Sequence, residues 1–225
     1  MANNKPIVIV GAGETAMLAY EYFTHDSDYE VVAFVVNQEY ISKTEMYGLP
    51  IKPLESIEKI YHPNDYSLFV SVSSGTLNRI RKKIYLELKD KGYSFTSYVS
   101  SKAFVWKNVE IGENCFILED NTLQPFVKIG NNVTLWSGNH IGHRTVVKDH
   151  CFISSQCVIS GFCEIGENSF LGVNSTLENN VIIAKDNFIG AGALIQKNTN
   201  EKEFFQVKQT ELSKINTHRL FRIKE

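Results

Sequence analysis

The feature that most constrains the fold of this chain is a six-residue repeat that runs without interruption from residue 105 to residue 200. Each of its sixteen hexads begins with Val, Ile or Leu, as in the consecutive hexads IGHRTV, VKDHCF, ISSQCV and ISGFCE. An aliphatic residue at every sixth position fits neither the 3.6-residue period of a helix nor the two-residue period of a strand. It is typical of a parallel β-helix, in which each hexad forms one face of a three-sided coil. We therefore predict about five coils of 18 residues, stacked at the roughly 4.8 Å spacing of β-strands.

The fifth position of the hexads holds only small or slim residues, and all four cysteines occupy it: Cys115, Cys151, Cys157 and Cys163. A position that accepts Val, Cys, Ser, Thr, Asn and Ala is expected to be a tight interior corner, where Cys acts as a small hydrophobe. No two cysteines form a CxxC pair, and none are one coil apart, so we expect neither disulfides nor zinc. The same count aligns Asn121 with Asn139, whose amides should hydrogen bond each other inside the prism.

Residues 6–100 follow a different pattern, in which short apolar runs alternate with segments of helical period. The runs IVIV (7–10), VVAFVV (31–36) and YSLFVSVS (66–73) indicate strands, and the segments after Gly13 and before Gly92 indicate helices. This alternation predicts a small Rossmann-like α/β domain with a parallel sheet. We expect this N-terminal domain at 1–100, the β-helix at 101–200 and a C-terminal tail at 201–225.

The tail departs from the hexads but keeps several apolar residues. A β-helix end exposes unpaired strand edges and requires a cover. We therefore expect an apolar stripe of the tail to cap the open end of the prism; its members are Phe204, Phe205, Val207, Leu212, Ile215 and Leu220.

The overall composition narrows the possible partners. A formal net charge of −2 offers no basic footprint for nucleic acid. No window approaches the roughly 18 apolar residues of a membrane-spanning helix. The N-terminal sequence MANNKPIVIVGAG lacks the long apolar core and cleavage site of a secretory signal. We therefore expect a cytoplasmic protein that binds neither nucleic acid nor membrane.

The segment GAGETA (11–16), directly after the first predicted strand, fits the pattern G-x-G-x-x-G/A. Such a turn lets the backbone approach a nucleotide, and the N-terminus of the following helix favours an anion. Asn37 stands where NAD-binding domains usually have an acid, so we expect a nucleotide-sugar phosphate or base rather than a dinucleotide. A purely structural turn stays an alternative here, as a plain helix cap does for the loop SSGTLNR (73–79). The candidate substrate-binding residues are Gly11, Gly13, Glu14, Asn37, Ser73 and Gly75.

Together, the hexads and the N-terminal segment VIVGAGETA resemble the NeuD/PglD-like sugar acyltransferases over about residues 6–199. The resemblance implies a left-handed β-helix behind a nucleotide-binding-like domain, assembled as a homotrimer. It implies N-acetylation of a nucleotide-linked amino sugar in bacterial surface-glycan biosynthesis, with acetyl-CoA as acyl donor. Two alternatives stay open: O-acetylation of a sialic-acid-like sugar or polysaccharide hydroxyl, and a non-catalytic trimeric sugar-nucleotide-binding protein.

The resemblance also implies the catalytic residues. Members of the family carry a base histidine at the third position of a hexad and a glycine in an [LI]-S-G segment one coil later. Here these positions hold His143, in IGHRTV, and Gly161, in ISGFCE. An imidazole accepts protons near neutral pH, and the Gly161 N–H would stabilise the oxyanion of the thioester. We expect His143 to point outward into a groove between two prisms, where acyl-CoA lies.

The acid that often follows the family histidine is replaced by Arg144. We take Glu119, Asp120 and Asp149 as the candidates to orient the imidazole instead.

A second family histidine would fall at Phe152, and we assign its role beside the acyl donor to the nearby His150. Other CoA contacts are expected at Gly161 and at the small residues Gly190, Ala191 and Ala193, although small residues also simply fit a prism corner. No metal site is expected from His140, His143 and His150, since they would have to converge from different faces.

Overall fold

The computed structural model describes residues 6–223 of the chain. Its N-terminal elements are, in chain order, β1 (Ile7–Val10), α1 (Glu14–His25), β2 (Val31–Val36), a 3₁₀ helix (Gln38–Tyr40), β3 (Glu45–Met46), β4 (Leu49–Pro53), a second 3₁₀ helix (Leu54–Ser56), α2 (Ile57–Ile60), β5 (Ser67–Val70), α3 (Arg79–Asp90) and β6 (Ser94–Phe95). The strands form one sheet in the order β3–β4–β2–β1–β5–β6, parallel except between β3 and β4. The predicted α/β domain is confirmed. The strand β4 was not predicted because Pro50 and Pro53 fall within it.

Both faces of the central strand β1 are buried, which explains its uninterrupted aliphatic sequence. Ile7 and Ile9 pack with Phe23 of α1, whereas Val8 and Val10 pack in a second cluster with residues of α3. The two helices therefore cover opposite sides of the sheet.

The β-helix is a prism with three faces, each a parallel sheet of two-residue strands. The first face contains Tyr98–Val99, Phe116–Ile117, Thr134–Leu135, Phe152–Ile153, Phe170–Leu171, Phe188–Ile189 and Phe204–Phe205. The second face contains Phe104–Val105, Thr122–Leu123, His140–Ile141, Val158–Ile159, Thr176–Leu177 and Leu194–Ile195. The third face contains Glu110–Ile111, Lys128–Ile129, Val146–Val147, Glu164–Ile165 and Ile182–Ile183. Along the hexads each strand residue pairs with the residue 18 positions later, as Ile117 does with Leu135, which confirms the predicted coil.

The interior of the prism contains the first-position aliphatic residues and all four cysteines. The cysteines are free thiols, and burial raises the pKa of Cys151 to about 12, so they act as small core residues. The expected asparagine ladder is wrong. The Nδ2 of Asn121 donates to the carbonyl oxygen of Trp136 (2.8 Å), and the Oδ1 of Asn139 accepts from the backbone N–H of Cys157 (2.8 Å). These asparagines satisfy backbone groups at the corner, rather than each other.

The prism is longer than the hexads indicate, since its strand pairing begins at Tyr98 and ends at Phe205. Phe205 packs against the core, so the first few residues of the tail extend one face. Beyond them the predicted cap is wrong: Val207, Leu212, Ile215 and Leu220 are exposed, Leu212 by 96 %. A short helix, α4 (Thr217–Phe221), follows, and residues 208–216 before it are all exposed.

Helix α3 attaches the N-terminal domain to the corner between the third and first faces. Arg81 is buried there, and its guanidinium donates to the carbonyl oxygens of Val70 (3.1 Å), Asn114 (2.9 Å) and Asn132 (3.1 Å) and to Oγ1 of Thr134 (2.7 Å). One side chain thus links the end of β5 to two coils of the prism. Burial lowers the pKa of Arg81 to about 10, so it stays charged at neutral pH.

Around Arg81, three ion pairs bind the same helix to the same corner: Arg79 with Asp186, Lys82 with Glu167, and Lys89 with Glu113. Among residues 6–223, no helix has the length and apolar character needed to cross a bilayer.

Candidate active site

His143 lies at the corner between the second and third faces, two residues after the strand that ends at Ile141. Its side chain is exposed, as predicted for a third hexad position. Its backbone N–H donates to Oε1 of Gln124 in the preceding coil (2.9 Å), which fixes the main chain at this corner. The imidazole is therefore presented outward from an ordered backbone.

His143 and Gly161 lie against each other, as their separation of one coil predicts. A Cβ atom placed on Gly161 would lie 2.7 Å from Nε2 and 2.8 Å from Cε1 of His143. The imidazole therefore occupies the space that a side chain at position 161 would need, and any other residue there would displace it.

The backbone N–H of Gly161 donates to no acceptor among residues 6–223. The corresponding N–H one coil earlier, that of His143, is occupied by the Gln124 side chain. The residue one coil after Gln124 is Gly142, which has no side chain that could accept the N–H of Gly161. The site therefore combines an exposed imidazole with a neighbouring unpaired N–H, and these are the groups that general-base catalysis with oxyanion stabilisation requires.

None of the predicted carboxylates reaches His143 within one chain. Glu119 lies at the corner between the first and second faces and accepts from Tyr22 Oη (2.8 Å) and Ser137 Oγ (2.6 Å). Asp149 lies at the corner between the third and first faces and accepts from the N–H of Asn131 (2.7 Å). The remaining candidate, Asp120, shares the corner of Glu119, so the three carboxylates lie at corners other than that of His143.

Two aromatic residues near His143 escaped the sequence analysis. The ring of Phe162 lies 4.9 Å from the imidazole, centroid to centroid, with an interplanar angle of 86°. The guanidinium of Arg144 lies over the ring of Phe126, 4.4 Å from its centroid. In the sequence, Phe126 and Phe162 hold the fourth position of their hexads, as Arg144 does, one coil before it and one coil after it. No other sequence pattern pointed to them.

His150 does not belong to this site, and its predicted contact with the acyl donor is wrong. It occupies the fourth position of its hexad, at the corner covered by α3, and is only 4 % exposed. Its Nδ1 pairs with Nδ2 of Asn132 (2.9 Å), and its ring contacts Tyr85 of α3. Burial lowers its pKa to about 4, so the ring is neutral at physiological pH.

Folding is expected to become less favourable in mild acid because of His150. The unfolded imidazole takes up a proton below about pH 6.5, whereas the folded one resists protonation until about pH 4. Burial is the largest cause; Lys82 and Arg81 also oppose protonation, while Asp149 and Glu167 favour it. The free energy of unfolding should therefore fall by about 3 kcal/mol as the pH drops from 6.5 to 4.

Urea unfolding of a His150→Asn variant across this pH range measures the effect. Asparagine suits the site because Asn132 and Asn168 hold the same position in the adjacent coils with the same left-handed backbone. The variant should lose the part of the pH dependence that His150 contributes, and the exposed His25→Asn should retain it. Equal slopes for wild type and His150→Asn would contradict the assignment.

The three histidines of residues 140–150 point in different directions. His140 lies on the second face, His143 at the second–third corner and His150 at the third–first corner. Within the part of the chain that the structure describes, no three His, Cys, Asp or Glu side chains could hold a metal ion together.

The small residues near the C-terminal end of the prism serve mainly its packing. Gly190 is buried, and a Cβ there would lie 2.6 Å from the carbonyl oxygen of Phe205; Ala193 is buried in the core. Both residues offer little surface within the single chain, and their predicted contact with CoA stays a prediction. Ala191 is exposed at another corner from His143, and its contact with CoA stays a prediction.

A cavity of about 420 Å³ lies at the carboxyl ends of β1, β2 and β5, where parallel sheets usually bind ligands. Of the predicted binding residues, Gly11, Gly13, Glu14 and Ser73 line it. Gly11 has φ of +132°, and a Cβ there would overlap the carbonyl oxygen of Ser71. The tight turn and close approach expected of GAGETA are therefore present.

Two predicted residues, Asn37 and Gly75, do not line this cavity. The Asn37 amide donates to Oε1 of Glu55 (3.4 Å), a carboxylate that the sequence analysis did not connect with it. Tyr40, which is 67 % exposed, lines the cavity instead and offers an aromatic surface for a nucleotide base. The sequence analysis did not identify Tyr40, because the short 3₁₀ helix that contains it shows no periodic pattern of apolar residues.

The cavity and His143 are separate parts of one chain, since every residue that lines the cavity belongs to the N-terminal domain. A larger open cleft of about 580 Å³ lies on the third face, but it contains neither His143 nor Gly161. Its charged residues are already paired, Lys128 with Glu110 and Lys148 with Glu164. We therefore take the cavity and the His143 corner as the candidate functional sites.

Comparison with known proteins supports this description of the fold. Residues 108–143, 126–161 and 162–197 match the family model described as Bacterial transferase hexapeptide (six repeats). The acetyltransferase domain of PglB from Neisseria gonorrhoeae FA1090 is similar over 89 % of this chain and 96 % of its own, with a TM-score of 0.80 and 20 % identity.

A mutant of perosamine N-acetyltransferase from Caulobacter crescentus, in complex with CoA and GDP-perosamine, is similar over 88 % of this chain and 92 % of its own. Its TM-score is 0.80 and its identity 22 %. WeeI from Acinetobacter baumannii AYE is similar over 88 % of this chain and 95 % of its own, with a TM-score of 0.60 and 18 % identity. The predicted resemblance is thereby confirmed for the fold, a left-handed parallel β-helix that follows a small α/β domain.

Proposed function

We propose that this protein is an acetyl-CoA-dependent N-acetyltransferase that acts on a nucleotide-linked amino sugar. The observation that carries the proposal is the contact of an exposed imidazole, His143, with a glycine whose N–H has no acceptor among residues 6–223. Proteins of the same fold support the choice of substrates, since the perosamine N-acetyltransferase binds CoA and GDP-perosamine.

In the proposed reaction the acceptor amine attacks the thioester carbonyl carbon, a C–N bond forms and the C–S bond of the thioester breaks. His143 accepts the proton of the attacking amine, because a neutral imidazole is a base suited to neutral pH. The Gly161 N–H donates to the carbonyl oxygen as negative charge develops on it. The departing thiolate takes up a proton, for which the protonated His143 is the nearest donor.

The N-terminal cavity would hold the nucleotide of the acceptor. Gly11 and Gly13 bring the backbone close to the ligand, and Tyr40 offers a ring to the base. Glu14, at the first turn of α1, complements the helix dipole and would accept hydrogen bonds from ribose or sugar hydroxyls.

A homotrimer explains how two sites that are separate in one chain serve one reaction. In the proposed assembly, the groove beside His143 is completed by a second prism, and the acceptor reaches it from a cavity on one of the subunits. We place the reaction in the cytoplasm, in a bacterial surface-glycan pathway, in agreement with the sequence-based expectation.

Thiol release tests the function. Purified protein is incubated with acetyl-CoA and a panel of UDP-, dTDP- and GDP-linked amino sugars, together with matched sugars that carry a hydroxyl in place of the amine. Release of free thiol with an amino sugar alone is the expected result. If thiol is released only with a hydroxyl acceptor, the protein is an O-acetyltransferase rather than an N-acetyltransferase. If no acceptor leads to thiol release, the proposed function is overturned.

Gly11→Ala is expected to weaken acceptor binding. The new methyl group would overlap Ser71, and φ of +132° is unfavourable for alanine, so the cavity wall must move. We expect the KM for the acceptor to rise about tenfold or more, with the KM for acetyl-CoA unchanged. Gly75→Ala is the matched control, because its Cβ would meet only Ser73 Oγ at 3.6 Å. An unchanged acceptor KM in Gly11→Ala would show that the nucleotide binds elsewhere.

A further inference from the structure

Three bulky residues interrupt a pattern of small polar residues beside His143. The fourth position of most hexads has a left-handed backbone, and Asn, Asp or Gly usually holds it, as in Asn114, Asp120, Asn132, Gly138, Asn168, Asn174, Asn180, Asp186 and Gly192. Phe126, Arg144 and Phe162 hold it in three successive coils at the corner of His143, with φ of 66°, 59° and 59°. A left-handed backbone is unfavourable for phenylalanine and arginine.

Burial does not explain the two phenylalanines either. Within the single chain, Phe126 is 48 % exposed and Phe162 is 51 % exposed, so neither ring is buried by its own fold. Neither backbone geometry nor burial within the single chain favours these residues over asparagine. Their position next to His143 is therefore the feature that needs an explanation.

The contacts of the three residues supply one. The imidazole of His143 has no hydrogen-bond partner among residues 6–223, so hydrogen bonding does not fix its orientation. The ring of Phe162 stands perpendicular to it at 4.9 Å, and the Cα of Gly161 closes the side that faces that coil. The positively charged Arg144, the next residue in the chain, is drawn over Phe126 in the preceding coil.

We propose that Phe162 is a positioning residue for His143. Its ring restricts the imidazole to one orientation over Gly161. Phe126 supports this arrangement because it holds the Arg144 guanidinium over its own ring. The inference rests on the proposed function, in which His143 accepts the proton of the acceptor.

Phe162→Asn tests the proposal without placing strain on the fold, because asparagine holds the same column position at Asn180 with a left-handed backbone. We expect kcat to fall about tenfold, the order of loss that a small misplacement of a catalytic group produces. Both KM values should stay within about twofold, and the melting temperature should not fall. Phe162→Tyr keeps the ring and should restore kcat.

Gln156→Asn is the matched control, since Gln156 also has a left-handed backbone (φ of 61°) but lies at another corner. It should leave kcat and the melting temperature unchanged. A wild-type kcat in Phe162→Asn would overturn the proposal. So would a loss that Phe162→Tyr does not restore, or one that accompanies a lower melting temperature, because either result indicates a structural role.

A second measurement does not depend on turnover. In protein labelled with ¹³C at histidine Cε1, the His143 signal should shift in Phe162→Asn, because the ring current of Phe162 is lost, and should keep its position in Gln156→Asn. If wild-type protein releases no thiol with any acceptor, the proposed function fails, and this spectrum alone decides whether Phe162 orients His143. An unchanged His143 signal in Phe162→Asn would overturn the positioning contact.

Discussion

Replacing His143 by asparagine is expected to lower kcat by about 100- to 10,000-fold, the usual contribution of a general base. Asparagine is slightly smaller than histidine and would be exposed at this corner, so it should neither strain the coil nor displace Gly161. The variant lacks a group that accepts a proton at neutral pH, and therefore the KM values and the melting temperature should stay near those of the wild type. Steady-state thiol release with the amino-sugar acceptor measures the loss.

The control for this experiment is His140→Asn, which changes a histidine of the same segment on the second face. It should retain wild-type kcat. A His143→Asn variant with wild-type turnover would remove His143 as the base, even if the protein proved to be an acetyltransferase.

Replacing Arg81 by methionine is expected to lower the free energy of unfolding by about 3–5 kcal/mol. The variant keeps an apolar stem of similar length but removes every donor from a buried site. The carbonyl oxygens of Asn114 and Asn132 would lose the bonds that the guanidinium now provides, and Val70 would keep only the long bond from Asn114 Nδ2 (3.4 Å). Buried acceptors without a partner are costly. Urea unfolding at neutral pH measures the change.

Arg79→Met is the matched control, because Arg79 lies on the same helix and its ion pair with Asp186 is partly exposed. That variant should lose at most about 1 kcal/mol. Arg81→Lys should recover little, since a single ammonium group cannot reproduce the planar set of donors. Equal stabilities of Arg81→Met and Arg79→Met would show that the buried guanidinium does not hold the two domains together.

The parts of this structure that depend on periodicity could be predicted from the sequence. The contact between His143 and Gly161 follows from a separation of one coil, and the burial of the cysteines follows from their fifth position in the hexads. Both conclusions require only that the hexads be counted correctly. The position of Gly11 and Gly13 in the cavity wall was also predictable, because a tight turn after a buried strand can adopt few backbone conformations.

The parts that depend on side-chain direction could not be predicted. Arg144 follows His143 directly, yet its side chain turns to Phe126 because the backbone there is left-handed. His150 lies two residues before the expected position, that of Phe152, and this offset places it at the corner under α3 rather than on a strand of the first face. The carboxylate that meets Asn37 comes from Glu55, and no local pattern connects the two residues.

The apolar residues of the tail show a further limit. Leu212 and Leu220 were expected to belong to a cap, because the end of a β-helix exposes unpaired strand edges, yet both leucines are exposed. The sequence does not show whether the same chain supplies the cap, and in the structure these leucines do not. The prism end is closed on one face instead, by the pairing of Phe204–Phe205 with the preceding strand.

The coil of 18 residues has a consequence for how this protein can change in length. Removal of one complete coil after Gly161 would shorten the prism by about 4.8 Å and leave every remaining strand in register with its neighbours. Removal of any number that is not a multiple of 18 would rotate all later residues to other faces or turn their side chains from inside to outside. A deletion within the prism that keeps every later strand in register is therefore a whole number of coils, and the number of coils, rather than the number of residues, is the natural measure of the length of the prism.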